Sequence, residues 1–317
     1  MQPKKVVVLG GGTGLSNIVK DLKNLPISLT AVVSVSDNGS STGKLRREFL
    51  IPAVGDIRKV LTNLSTLPAD TKDLMECRLV SKSELDGHAV GNLLLVCLIE
   101  KYKSLKKSID ILSKLLKVQH KVLPLSEDYL TLCGKTKSGQ IVKGEEEITK
   151  ANQEFENIFY NTKPNICPEA IKAIKNADLI VLSAGSLLTS LLPNIICKEV
   201  SDAIRLSKAK TMYVCNAFTE PGETDNFSVC DHVDYISKYL GKNTIDIIVA
   251  NNACKFSKLI KKYSVEENKQ LVKVDYDRIY KSGYTLIDCP LLTLDNGTLK
   301  HDSLKLSSII FSILLQK

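Results

Sequence analysis

Six short stretches of this 317-residue chain concentrate residue types able to hold a phosphorylated ligand. The first is Gly10-Gly11-Gly12-Thr13-Gly14-Leu15-Ser16. Glycine lets a backbone approach a ligand closely, and a helix start offers unpaired N–H groups and a positive dipole end. Gly11, Gly12, Thr13, Gly14, Leu15 and Ser16 are therefore the expected phosphate cradle. A strict dinucleotide fingerprint is not met, because the third glycine position falls on Leu15 or Asn17. A Walker loop fails too, since no Lys-Ser or Lys-Thr pair follows. The loop indicates an anion without naming it; the plain alternative is a tight strand-to-helix turn with no ligand.

The second stretch runs from Ser36 to Arg47. Asp37, after a strand, is placed to accept hydrogen bonds from a ribose diol. Asn38, Ser40 and Ser41 supply polar contacts, while Lys44 and Arg46 can neutralise phosphate. The alternative is a polar loop ending in a solvated basic turn. In the third, Gly55-Asp56-Ile57-Arg58, Asp56 reads as a helix cap and Arg58 as a guanidinium beside a bound phosphate. The fourth, Gly87-His88-Ala89-Val90-Gly91-Asn92, puts His88 and Asn92 on one helical face. Its glycines indicate close approach of another group, and His88 is a candidate polar contact or proton donor. The last two follow apolar strands: Ser183 to Ser190, with Gly185 and Ser186, and Cys215 to Phe227, with Asn216 and Thr224.

Alternating elements must position these loops. Strands are expected at Val6–Leu9, Leu29–Val35, Leu179–Ser183, Met212–Cys215, Ile245–Ala250 and Thr285–Asp288. Helical periodicity falls between them, at Leu15–Leu25, Asp56–Leu64, Gly91–Tyr102, Ser108–Leu116, Pro168–Lys175, Val200–Ser207, Val229–Leu240 and Phe256–Tyr263. A last helix, Ser303–Leu315, has Asp302 as its N-cap. This order predicts an α/β fold: a Rossmann-like, doubly wound, mostly parallel sheet, with loops at the strands' carboxyl ends converging on one crevice. Lys121–Leu125, Tyr129–Cys133 and Gln140–Val142 break the alternation and are expected to form an antiparallel insertion over residues 119–165, within a single domain spanning 1–317.

Composition narrows the partners. Charged residues make up 25% and apolar ones 44%, as in a globular protein. No apolar run reaches the length of a membrane span, and the start lacks a signal-peptide pattern, so a cytoplasmic location is expected. The nine cysteines form no C-x-x-C pair and read as reduced, mostly buried small hydrophobes. The four histidines are dispersed, so no metal site is expected. The net charge of +8 comes from lysine, densest between Lys101 and Lys121, where a solvated helix face is expected. With 5% aromatic residues and no recognisable module, nucleic acid is not an expected partner.

In order and combination, Gly10 to Ser16, Gly55 to Arg58 and the Gly-His-x-x-Gly-Asn-Leu-Leu motif from Gly87 resemble the CofD/YvcK superfamily, from Val6 to about Asp302. That superfamily holds 2-phospho-L-lactate transferases and YvcK-type gluconeogenesis factors. Ser183 to Ser190 is similar to the YvcK pattern Gly-Pro-Gly-Ser-Leu-Tyr-Thr-Ser, with Ala184 for Pro and Leu188 for Tyr. The transferase pattern Pro-Ser-Asn-Pro is lacking there. The usual Asp-Asp of the second loop stands as Asp37-Asn38, which weakens a metal there.

The resemblance implies a CofD-like fold and a cytosolic regulator that binds UDP-N-acetylglucosamine and supports cell shape on gluconeogenic carbon. It implies an unidentified protein partner in envelope synthesis, and leaves room for a homo-oligomer. No cofactor is required on this reading, although adventitious NAD binding is compatible with the glycine loop. Two positions linked with the uridine ligand map to Tyr263 and Lys300; the second is normally arginine, whose bidentate grip lysine does not reproduce. Ser303 stands where the branch has a phosphoacceptor threonine. The alternative is a phospholactate-type transferase acting on a nucleotide diphosphate donor. Asp37, Asp56, Arg58 and His88 would then be catalytic, with Asp37 and Asp56 holding Mg²⁺ or orienting the acceptor.

Overall fold

The computed structural model describes residues 2–151, 153–253 and 255–316. The Val-rich run after Lys5 forms strand β1 (Lys4–Gly10), which helix α1 (Gly12–Leu22) links to β2 (Ile27–Val33). Helices α2 (Ser40–Phe49), α3 (Gly55–Leu64), α4 (Ala69–Glu76), α5 (Val90–Tyr102) and α6 (Leu105–Leu115) precede β3 (Lys121–Pro124). Next come β4 (Leu132–Thr136), β5 (Ile141–Lys143), α7 (Glu145–Lys150) and β6 (Phe155–Tyr160), then α8 (Pro168–Lys175). The remaining strands are β7 (Leu179–Leu182), β8 (Lys210–Val214), β9 (Ile247–Asn251), β10 (Thr285–Cys289), β11 (Leu292–Asp295) and β12 (Thr298–His301), before the helix Ser303–Leu315.

Seven strands make one sheet in the order β10-β9-β8-β7-β1-β2-β3, and every pairing is parallel. Successive side chains of β1 go to opposite faces. Val6 and Val8 join Leu15, Ile18 and Ile57 in one apolar cluster, while Val7 and Leu9 join Leu123, Ile174 and Leu192 in the other. Burial on both faces explains why these strands read as unbroken apolar runs rather than alternating ones. Strand order reverses between β1 and β7, so the connections leaving those two strands run to opposite faces of the sheet, and the crevice lies at this point on the sheet's carboxyl edge.

Three features differ from the sequence reading. Lys121–Pro124 is the edge strand of the main sheet, not part of the insertion. Val122 and Leu123 are both buried, the mark of a strand covered on two sides, and periodicity alone does not reveal a strand's partner. The antiparallel insertion therefore starts later and has the order β5-β4-β6. Residues 40–49 form a helix rather than a loop. Its Ser-Ser-Thr-Gly start hides the period, and Leu45 packs in the core. Arg46 is buried and donates to the carbonyls of Ser36 (2.8 Å), Asp37 (2.9 Å) and Leu130, so it fixes this loop instead of meeting phosphate. Finally, β11 and β12 form an antiparallel hairpin around Asn296-Gly297, whose φ values of 49° and 78° suit a type I′ turn.

Other expectations match. Asp302 accepts a hydrogen bond from Lys305 N at 2.9 Å, capping the last helix. The eight described cysteines are free, five of them buried; Cys254 lies outside the described residues. Among the described residues no helix is long and apolar enough to cross a membrane.

Candidate functional site

The glycine loop sits at the switch point, and its glycines answer first to neighbouring protein. A Cβ on Gly10 would lie 1.9 Å from Ser183 Oγ, and one on Gly14 would lie 1.7 Å from the Ala184 carbonyl oxygen. The loops after β1 and β7 can touch only because these positions lack side chains. Gly12 has φ +60°, the left-handed region that favours glycine. Its N–H donates to Asp56 Oδ2 at 2.5 Å, so a protein carboxylate already occupies part of the positive start of α1. Lys59 holds the other oxygen of Asp56 at 3.2 Å. Thr13 is exposed, Ser16 Oγ donates to Thr13 O at 3.1 Å, and Leu15 is wholly core. Of the loop, Thr13 and Gly14 line the neighbouring opening.

Beside that loop lies a cavity of ≈ 190 Å³, whose lining includes Thr13, Gly14, Gly185, Asn216 and Lys300. It is smaller than the roughly 300–1,000 Å³ of whole small-molecule sites, so it fits one end of an extended ligand. Asn216 staples one wall: its Oδ1 accepts from Gly185 N at 2.9 Å and its Nδ2 donates to Gly185 O at 2.6 Å. Asn17 Nδ2 donates to His301 O at 2.6 Å and draws the hairpin over the opening. Phe218, also on the wall, meets the Tyr263 ring edge-on at 5.3 Å. The Tyr263 hydroxyl accepts from Leu299 N at 2.9 Å, so Tyr263 supports the cavity from behind. Lys300 is held by Asp295 at 2.9 Å, a half-buried pair at the rim of the opening that a stronger anion can displace. Burial lowers the His301 imidazole to about 4, leaving it neutral near pH 7. Burial raises the Glu220 carboxyl, while Lys269, 3.3 Å away, opposes that rise.

Four expected ligand residues are instead gathered into a buried network away from this cavity. Arg58 donates to Glu76 through Nε (3.1 Å) and Nη2 (2.9 Å), and to Asn92 Oδ1 through Nη1 (3.0 Å). Asn92 Nδ2 donates to Ser41 Oγ at 3.2 Å, and Ser41 Oγ lies 2.9 Å from His88 Nδ1. Ser41, Arg58, His88 and Asn92 are all buried. The guanidinium expected beside a phosphate therefore joins α2, α3, α4 and α5. Gly91 lets α5 reach it, since a Cβ there would lie 2.8 Å from Arg58 Cγ.

A third group is acidic. Burial, then the charge of Asp56, raises the Asp37 carboxyl, while Gly39 N donates to its Oδ1 at 2.9 Å. Glu145, from the insertion, is raised well above the usual carboxylate range by burial and by Asp37 and Asp56. Asn38 anchors this lobe: its Oδ1 accepts from Glu146 N at 2.9 Å and its Nδ2 donates to Glu147 at 3.0 Å. The expected ligand residue Asn38 thus holds the insertion over the crevice. Ser186 Oγ donates to Glu223 at 2.5 Å, and Thr224 Oγ1 accepts from Glu220 N at 2.8 Å, so both organise loops. Ser40 and Lys44 are exposed on α2. Ser303 is buried and donates to Asp21.

The sequence reading passed over Asn17, Glu145, Phe218, Leu299 and His301. The Asn-Gly turn at 296–297 was the available signal for the hairpin that brings Leu299 and His301 in. Glu145 had no local signal, because only the docking of the insertion makes it part of the crevice.

The fold is that of an open α/β protein with a crevice at its topological switch point. The chain belongs to the CofD family, whose profile, described as 2-phospho-L-lactate transferase CofD, matches residues 6–292. It is similar to the gluconeogenesis factor of Bacillus subtilis, with 34% identity covering 99% of each chain. The gluconeogenesis factor of Halalkalibacterium halodurans is 37% identical over 98% of this chain and 96% of that one. A crystal structure of a Bacillus halodurans protein superimposes with a TM-score of 0.94 at 36% identity, over 98% of this chain and 99% of that chain.

Proposed function

We propose that this protein is a cytoplasmic, non-catalytic regulator of the gluconeogenesis-factor type that binds UDP-N-acetylglucosamine in the switch-point crevice. It would couple carbon supply to cell morphogenesis through a protein partner in envelope synthesis. The observation that carries the reading is the cavity between the glycine loop and the β11–β12 hairpin. There Thr13, Gly14, Gly185 and Asn216 offer backbone and amide contacts, Lys300 offers the cation, and Tyr263 acts through Phe218. One end of the sugar nucleotide enters this cavity and the rest follows the crevice. Arg58, His88, Ser41 and Asn92 act as support for the fold. Calorimetric titration with UDP-N-acetylglucosamine is the test: saturable binding that Lys300→Ala weakens supports the reading, and no heat at millimolar ligand refutes it.

A second reading, transfer of a phosphorylated group from a nucleotide diphosphate, is favoured by the raised carboxyls of Asp37 and Glu145, which share the field of Asp56, the carboxylate that accepts from Gly12 N. Such groups can take a proton from an acceptor hydroxyl. The donor set does not fit a divalent cation. Both Asp56 oxygens are engaged, and no group of three or more His, Cys, Asp and Glu among the described residues has metal-holding geometry. Arg58 and His88 are committed to the buried network, so this reading rests on the carboxyls alone. Turnover of a guanosine diphosphate-linked donor with a deazaflavin acceptor would establish it.

A further inference from the structure

A charged concavity lies at the other end of the sheet from the crevice. It is a cleft of ≈ 810 Å³ around edge strand β3, walled by α6 and α8. Five lysines rim it: Lys5, Lys106, Lys114, Lys121 and Lys172. Two carboxylates, Asp110 and Glu169, share the lining, and Glu169 pairs with Lys106 at 2.9 Å. Lys5 neighbours Asp178, whose carboxylate accepts from Lys5 N at 2.8 Å, and Lys114, Lys121 and Lys172 are exposed on the rim. Val7, Val118, Val122, Leu123 and Ala173 give the lining apolar patches between polar groups such as Ser28, Thr30 and Asn176. The lysine-rich stretch expected to be a plain solvated helix face thus borders a shaped depression.

We propose that this lysine-rimmed cleft is a docking site for an acidic, aliphatic-bearing segment of a partner protein. Charge complementarity selects the occupant. Lysines at 106 and 114 are separated by about 12 Å of helix, which spreads positive charge along the cleft rather than focusing it. A single phosphate is better held by an arginine fork or a nest of backbone amides, and the lining contains no arginine. Single-stranded nucleic acid calls for several aromatic stacking platforms, and the lining offers one ring, His120, which is tied to the Lys23 carbonyl at 3.0 Å. Several carboxylates in a row match the spread cations, and aliphatic side chains between them match the apolar patches. Addition as an eighth strand is disfavoured, because Pro124 of β3 has no N–H to donate. The segment is recognised by side chains.

The test is fluorescence anisotropy with a labelled twelve-residue peptide of Glu and Leu, beside its Lys–Leu counterpart and an RNA oligonucleotide. The triple variant Lys114→Glu, Lys121→Glu, Lys172→Glu should bind the acidic peptide about thirtyfold more weakly. The control Lys258→Glu, Lys261→Glu, Lys262→Glu reverses as many charges on the helix Ser257–Glu266 and should change affinity less than about twofold. Unchanged melting temperatures show that both variants fold, as expected for exposed lysines. Equal weakening by both triples, tighter binding of RNA than of the acidic peptide, or no binding of the acidic peptide would overturn the proposal.

Discussion

Two regions of this molecule use the same residue types to opposite ends. Around the cavity, Thr13, Lys300 and the hairpin present polar groups to an opening, and the Lys300 ion pair is partly exposed. Around Arg58, the side chains of Asn92, Ser41 and His88 satisfy one another inside the protein, and the exposed Glu76 closes the network at its edge. Residue type at a loop therefore does not separate a ligand contact from a structural link. The distinguishing fact is whether the neighbouring helices already supply the partner. A buried guanidinium with three hydrogen bonds to two partners stabilises the fold and has little left for a ligand.

Mutations that break this contrast should fall in a clear order. Gly14→Ala has the largest effect, because its Cβ meets the Ala184 carbonyl and drives apart the loops after β1 and β7. A loss of about 3 kcal/mol in denaturant unfolding and abolished ligand binding are expected. Arg58→Met comes next. It strands Asn92 and should cost about 2–3 kcal/mol of stability, yet leave nucleotide affinity within about twofold. Asn216→Ala removes both bonds to Gly185 and should cost about 1–2 kcal/mol while weakening ligand about tenfold. Lys300→Ala should leave the melting temperature unchanged and weaken ligand about fivefold to tenfold, whereas Lys300→Arg should tighten it.

The insertion adds a smaller, pH-dependent effect. Glu145 holds its proton more tightly in the folded protein than in the unfolded chain, so protonation stabilises the fold. Its contribution is gained as pH falls from neutral toward about 4.5, and lost as pH rises through the elevated folded value. Glu145→Gln should therefore melt higher than the parent at about pH 8, with the difference shrinking on acidification. His301, held near 4 by burial, works the other way below about 6.5, so the comparison between variant and parent isolates Glu145.

Much of the fold was legible because β-branched runs such as Val6–Leu9 and helical periods such as Val229–Leu240 are strong local signals. The parallel sheet and the switch point follow from their alternation. Periodicity does not place Lys121–Pro124, since a strand's partner is a property of the whole sheet. The helix at Ser40 was missed because its start is made of small polar residues that favour turns. At the site, the glycine loop was found, but its glycines serve the contact with Ser183 and Ala184 as much as any ligand. Arg58 and His88 looked functional in one dimension, and three dimensions give each a protein partner. Glu145 and His301 were invisible for the converse reason: the docking of an insertion and a hairpin brings them in.

The central claim, that ligand binding belongs to the cavity and not to the Arg58 network, is tested most directly by one paired titration. Isothermal calorimetry with UDP-N-acetylglucosamine would compare the parent with Lys300→Ala and Arg58→Met, at a temperature where all three are folded. Saturable binding that Lys300→Ala weakens and Arg58→Met leaves intact is the predicted result. Loss of binding in Arg58→Met with Lys300→Ala unaffected, or no binding by the parent at millimolar ligand, would contradict it.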